Sequence, residues 1–183
     1  IHPGGSTDNA IVRHDGATGK RLQNGQSTED DSGNVAIVGT LSVGTGHTVS
    51  GTLASVAGGS TNTNAADYGF LGGGQNCSIA SGSDHSVLVG GNNNDITSTG
   101  DDNFIGGGNA NKINTALTTS ATVVGGASNT TSGDYSFIGG GQLCSIADGA
   151  DHSVIVGGNN NDITGTGDDC FIGGGNAIQI TGN

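Results

Sequence analysis

Aspartates recur along the chain at a spacing that could place carboxylates side by side. Six of them stand seven residues before the second glycine of a GG pair, in successive copies of a repeat. This aspartate column comprises Asp67, Asp84, Asp101, Asp134, Asp151 and Asp168. Stacked carboxylates repel one another unless each accepts turn N–H bonds or cations lie between them. We favour turn capping and keep a cation column as the alternative.

Calcium is the cation that this second interpretation would involve. The stretch GGNNNDIT, starting at Gly90, resembles the calcium-binding nonapeptide of parallel β-rolls. Asn93 stands where that nonapeptide has glycine, and the period here is about 17 residues rather than 9. We therefore predict no cofactor as the first interpretation and calcium as the second.

Three catalytic interpretations fit the residues less well. The tripeptide Asp84-His85-Ser86 contains triad letters, but neighbouring strand side chains point to opposite faces. Asp101 and Asp102 are adjacent, whereas glycoside hydrolysis needs carboxylates on both sides of a sugar. The GGG runs lack the GK[ST] of a phosphate-binding loop. We predict that the chain is not an enzyme.

The repeat that carries these residues has a measurable period. GG pairs follow a hydrophobic triplet eight times, at spacings of 15, 17, 17, 18, 15, 17 and 17 residues. Segments 68–113 and 135–180 form a 67-residue duplication with four rungs in each copy. Glycine-rich turns between short apolar pieces predict an all-β β-solenoid or β-roll of about eight rungs, at residues 49–183. Residues 1–48 are predicted to be an extended leader.

Hydrophobic columns predict how the rungs pack. Phe70 pairs with Gly72 and Val87 with Val89, so we interpret these two flanking columns as an interior layer of constant volume. The aliphatic column between them would then face outward and need a partner. We therefore predict a homotrimer whose interface is formed by Val56, Leu71, Leu88, Ile105, Val123, Ile138, Ile155 and Ile172.

An aromatic position recurs at one turn edge. Tyr68, His85, Tyr135 and His152 occupy one column beside the aspartates. We predict an exposed edge and keep contact with a receptor or a glycan as the alternative.

Charge and composition exclude several partners. The chain carries a formal charge of −12, and from residue 50 onward eleven aspartates face a single base, Lys112. We therefore predict no nucleic-acid binding, and the absence of a long apolar run predicts no membrane insertion. The three cysteines do not form a disulfide framework; Cys77 and Cys144 are equivalent positions four rungs apart.

Two stretches carry a resemblance to known proteins. DYSFIGGGQLCSIADG and DYGFLGGGQNCSIASG resemble GG-type repeats of phage tail-fibre and tailspike proteins, and are similar to the head repeats of trimeric autotransporter adhesins. The leading segment, with TDNAIVRHDGATGK, LQNG and DDSGN, resembles linkers of tail-fibre proteins.

The resemblance implies a trimeric shaft of a viral tail fibre or spike that supports attachment to a host cell. Its expected partners are other virion tail components and a host cell-surface glycan or protein receptor. Its expected place is the virion, after synthesis in the host cytoplasm. The alternative is the glycan- or receptor-binding head of a cell-surface adhesin.

Overall fold

The computed structural model describes residues 41–114 and 117–181, together with short strands at 28–29 and 35–36. The chain divides into two compact units, residues 1–39 and residues 40–183. In the first unit, β1 (Thr28–Glu29) pairs antiparallel with β2 (Val35–Ala36). The rest of the predicted leader up to residue 40 lies outside the described residues. No helix among the described residues is long and apolar enough to cross a membrane.

The second unit consists of two parallel sheets of nine two- or three-residue strands. The first sheet contains β3 (Leu41–Ser42), β5 (Ser55–Val56), β7 (Phe70–Leu71), β9 (Val87–Leu88), β11 (Phe104–Ile105), β13 (Thr122–Val123), β15 (Phe137–Ile138), β17 (Val154–Ile155) and β19 (Phe171–Ile172). The second contains β4 (Thr48–Val49), β6 (Thr63–Asn64), β8 (Ser78–Ile79), β10 (Asp95–Ile96), β12 (Lys112–Ile113), β14 (Thr130–Thr131), β16 (Ser145–Ile146), β18 (Asp162–Thr164) and β20 (Gln179–Thr181).

Each rung gives one strand to each sheet and pairs in register with the rungs on both sides. Phe104, for example, lies beside Val87 of one neighbouring rung and Thr122 of the other. Nine strands at about 4.8 Å spacing make a stack roughly 38 Å long. The predicted all-β solenoid of about eight short rungs is confirmed. Its first strand, β3, lies within the segment predicted as the leader.

Two different corners join the sheets. From β5 onward, every turn from the first sheet to the second has six residues; we call it the amide corner because it carries Gln75 and its equivalents. The turn back to the first sheet has five to eight residues and carries the aspartate column; we call it the acidic corner. All the variation in rung length from β5 onward therefore falls at the acidic corner.

Glycine is required where successive amide corners touch. Gly91 has φ 94°, and a Cβ there would collide with the carbonyl oxygen of Gly108 in the next rung. Side chains therefore cannot occupy this position without moving the backbone of the neighbouring rung. This explains why the second residue of the GG pair is glycine in each rung that has another rung stacked on it.

A buried asparagine holds each standard amide corner to the next one. Asn111 Nδ2 donates to the carbonyl oxygens of Gly107 at 2.8 Å and Gly126 at 3.0 Å, and its Oδ1 accepts the N–H of Asn129 at 3.0 Å. The side chain thus satisfies its own turn and two groups of the following rung. The members of this asparagine ladder are Asn62, Asn94, Asn111, Asn129 and Asn161.

Other residues occupy the same position in the remaining rungs. His47 Nδ1 accepts the N–H of Asn62 at 3.1 Å, so an imidazole begins the ladder. Cys77 and Cys144 interrupt it, although the N–H of each still donates to Oδ1 of the asparagine in the preceding rung. Both thiols are free and buried, and burial raises the pKa of the Cys77 thiol.

The aliphatic column predicted as the trimer interface lies in the interior of one chain, so that prediction is wrong. From β5 onward, the second residue of each first-sheet strand points between the sheets, where it packs against the isoleucines of the second sheet. Seven members of the column are 0% exposed and Ile172 is 3% exposed. The column comprises Val56, Leu71, Leu88, Ile105, Val123, Ile138, Ile155 and Ile172.

The flanking phenylalanine and glycine columns lie outside rather than inside. Phe70 is 41% exposed and Phe171 is 64% exposed. The Phe70 ring lies along its own strand, with Cε1 3.2 Å from the position a Cβ on Gly72 would take. The size relation read from the sequence is therefore real, but it arises on the outer face, where each ring covers the glycine two residues later.

Two polar residues replace isoleucine in the second-sheet interior column. Asn64 Nδ2 donates to the carbonyl oxygens of Ser55 and Gly69, and the Thr131 hydroxyl bonds that of Ser136. Both rungs have a five-residue acidic corner. In these rungs the shorter turn places carbonyl groups or a serine hydroxyl next to the core. The side chains of Asn64 and Thr131 form hydrogen bonds with these groups.

The asparagine ladder makes a prediction about stability. Asn111→Ala leaves several buried groups without partners and should lower the free energy of unfolding by about 3 kcal/mol. Asn111→Cys is the matched control, because cysteine occupies this position at residues 77 and 144. Urea unfolding followed by circular dichroism should place Asn111→Cys between wild type and Asn111→Ala. Equal stability of all three proteins would contradict a structural role for the ladder.

Candidate functional site

The aspartate column forms a hydrogen-bonded edge at the acidic corner, interrupted at Thr119, which stands between Asp101 and Asp134 in the column. Oδ1 of Asp84 accepts the N–H of Asp67 at 2.8 Å, and Oδ1 of Asp101 accepts the N–H of Asp84 at 3.1 Å. Asp67, Asp134, Asp151 and Asp168 make the same bond to the preceding rung. Each carboxylate therefore caps a turn one rung earlier, which is the arrangement favoured for this column.

The same carboxylates do not converge on a metal centre. Among the described residues, no group of three or more His, Cys, Asp or Glu side chains could hold a metal ion. An open depression of about 280 Å³ lies beside Leu117 and is lined by Asp134, Asp148 and Asp151, together with Thr118, Ser132 and Gly149. Two of these aspartates, Asp134 and Asp151, belong to the aspartate column, and Oδ1 of each already accepts a backbone N–H.

The aromatic column lies next to the aspartates on the acidic corner. Tyr68 and His85 stack with ring centroids 5.0 Å apart and an interplanar angle of 2°, and Tyr135 and His152 repeat this at 5.2 Å and 4°. All four backbones have positive φ near 55°, and both tyrosines are more than half exposed. Each ring covers one face of its partner, so ring edges and polar atoms point to solvent.

The side chains of Asp84, His85 and Ser86 do not form a catalytic triad. His85 is exposed at the corner, whereas Ser86 is buried and its Oγ accepts the N–H of Asn103 at 3.0 Å. The second copy repeats this bond between Ser153 Oγ and the Cys170 N–H. The serine is thus a structural acceptor.

The exposed amides of the amide corner form a second, shorter ladder. Asn92 Nδ2 donates to Gln75 Oε1 at 3.3 Å, and Asn109 Nδ2 donates to Asn92 Oδ1 at 3.0 Å. Asn159 bonds Gln142 in the same way at 3.1 Å. The amide corner therefore presents neutral, mutually paired side chains to solvent.

The buried asparagine ladder was not predicted from the sequence. Its signal is an asparagine three residues after the anchoring glycine, present in five of the eight GG rungs. Cysteine or isoleucine stands there in the other three, and the neighbouring asparagines at exposed positions obscure the pattern. Only the burial of this column distinguishes it from the exposed amides.

No protein-family model matches the chain, and no curated protein matches it.

The aspartate edge makes a testable prediction about cations. Asp84→Ala removes the acceptor of the Asp67 N–H and should lower the free energy of unfolding by about 1 kcal/mol. Asp84→Asn keeps an acceptor oxygen and should unfold close to wild type. A chelator should leave the melting temperature of wild type unchanged. A lower melting temperature with chelator, and an Asn variant as weak as the Ala variant, would instead indicate a cation column.

Proposed function

We propose that this chain is a rigid structural segment of a viral tail fibre or spike, a trimeric shaft that supports attachment to a host cell. The observation that carries the proposal is the uninterrupted in-register stacking of every described rung through both sheets. Strand pairing and the asparagine ladder resist bending at the sheets and at the amide corner alike. The described residues thus suit a spacer that holds another module at a fixed distance.

The proposed setting follows from the resemblance of the GG repeats and the leading segment to tail-fibre proteins. In that setting the partners are two further copies of the chain, other virion tail components and a host receptor. No role in catalysis enters this proposal: Oδ1 of Asp84 and Oγ of Ser86 each accept a backbone N–H that belongs to the turn structure.

Immunogold electron microscopy tests the setting. Antibodies raised against residues 41–181 should label the tails of virus particles produced from the genome that encodes this chain. Labelling of the outer surface of the producing cell, with unlabelled virions or none, would contradict the proposal and favour an adhesin head.

A glycan-binding edge is the second candidate. It is supported by the two Tyr–His stacks, which recur four rungs apart, or about 19 Å along the stack. Aromatic side chains beside carboxylates can contact sugar C–H groups and hydroxyls. The stacking favours the shaft over the glycan-binding edge, because one face of each ring already contacts the neighbouring ring and is not open to a sugar.

Binding to host surface polysaccharide separates these candidates. A shaft should give no heat on titration of the described segment with that polysaccharide. If binding occurs, the double variant Tyr68→Ser and Tyr135→Ser should abolish it when the edge is responsible. Serine is the matched replacement, because Ser120 occupies the same column with φ 54°. Binding lost in this variant would establish the edge as a binding site.

A further inference from the structure

The outer face of the first sheet is apolar except at Ser55 and Thr122. It consists of the two columns that flank the buried aliphatic residues, and we call it the seam face. Its first column is Leu41, Ser55, Phe70, Val87, Phe104, Thr122, Phe137, Val154 and Phe171, and its second is Val43, Ala57, Gly72, Val89, Gly106, Val124, Gly139, Val156 and Gly173. No charged residue occurs in either column.

The outer face of the second sheet provides an internal comparison. Its columns carry Asp95, Lys112 and Asp162 among threonines, serines and alanines. The two faces have the same backbone geometry and the same rung spacing, so the difference in side chains does not come from the fold. The polar outer face of the second sheet is suited to contact with solvent. The seam face has the apolar composition of a surface that is buried against a partner.

The seam face exposes a substantial apolar area. Val89, Val124 and Val156 are 46–49% exposed, and phenylalanines recur in every second rung, about 9.6 Å apart. With about 200 Å² for a phenylalanine, the exposed Phe and Val side chains leave on the order of 500 Å² open. This approaches the roughly 800 Å² that each partner contributes to a stable protein interface.

Charge indicates which partner fits and in which direction. The seam face is bordered on one side by the acidic corner and on the other by the neutral amide corner. If two copies packed antiparallel, acidic corner would meet acidic corner, with carboxylates repelling along the whole edge. If they packed parallel, each acidic corner would meet the amide corner of its neighbour, whose side-chain N–H groups can donate to carboxylates.

We propose that the seam face is the surface through which copies of this chain associate, parallel and with equivalent rungs at the same height. A second copy fits because its own seam face is equally neutral and apolar, whereas the rest of an acidic chain repels a like-charged neighbour. This inference rests on the proposed function in one respect, namely that several copies of the chain assemble into a shaft. The face and the direction follow from burial and charge.

Aspartate substitutions on the outer faces of the two sheets test which face associates. Val89 and Thr97 are both exposed, β-branched and in outer columns, one on each sheet. Wild type should sediment as a dimer or trimer in analytical ultracentrifugation. Val89→Asp combined with Val124→Asp should weaken association at least 100-fold, whereas Thr97→Asp should sediment like wild type. Circular dichroism of each variant checks that the solenoid is retained.

The possible outcomes distinguish a failure of the proposed interface from a failure of the proposed function. A monomeric wild type would overturn the face and the trimeric shaft together. An assembly that persists in the Val89→Asp, Val124→Asp protein, with its fold intact, would overturn the face alone. If that variant does not fold, Val89→Ser and Val124→Ser provide the same comparison with a smaller change, and unchanged association there would also overturn the face.

Spin-label distances test the direction. The background replaces Cys77, Cys144 and Cys170 by asparagine, the residue found at equivalent positions of other rungs. Labels at residue 63 or 164, on the polar sheet, lie six rungs apart, about 29 Å along the stack. In parallel assemblies, same-site labels should lie closer together than a 63–164 pair on different copies. The opposite order would show antiparallel packing and contradict the proposal.

Discussion

The buried asparagine of the amide corner is the interaction on which the rest of the structure depends. Two-residue strands are short, and a stack of them would fray if the turns between them were free to move. Asn111 and its equivalents prevent this because each side chain bonds its own turn and the next rung at once. The sheets and the corner therefore form one continuous hydrogen-bonded wall, with an aliphatic interior only one residue deep from each sheet.

The two corners differ in how much variation in length they accept. The amide corner keeps six residues from β5 onward because an extra residue would break the asparagine bonds and the close glycine contact between rungs. The acidic corner varies from five to eight residues, and its aspartate side chains reach back to the preceding rung from turns of five, six and seven residues. Variation in length, the column of carboxylates and the two Tyr–His stacks consequently lie at the acidic corner.

Sequence patterns predicted the period, the strands and the turn-capping aspartates, because those depend on spacing and on local turn chemistry. They failed on which side of the first sheet is inside. Leu71 and Phe70 are both large and apolar, and in a strand with two apolar faces alternation does not identify the core. The decisive fact is three-dimensional: the second sheet closes over Leu71 through Ile79 and its equivalents, leaving Phe70 outside. The asparagine ladder was missed for a related reason, since burial alone separates Asn94 from the exposed Asn92 and Asn93.

Amide hydrogen exchange measures the central claim, that the amide corner is as firmly held as the strands. The N–H of Asn129, bonded to Asn111 Oδ1, should exchange within about tenfold of the strand N–H of Phe104, bonded to the Ala121 carbonyl oxygen. Such equal protection would establish that corner and sheet open together as one unit. Exchange of the Asn129 N–H more than about 1000-fold faster than that of Phe104 would show a corner that opens by itself, and would contradict the ladder as the element that makes the stack rigid.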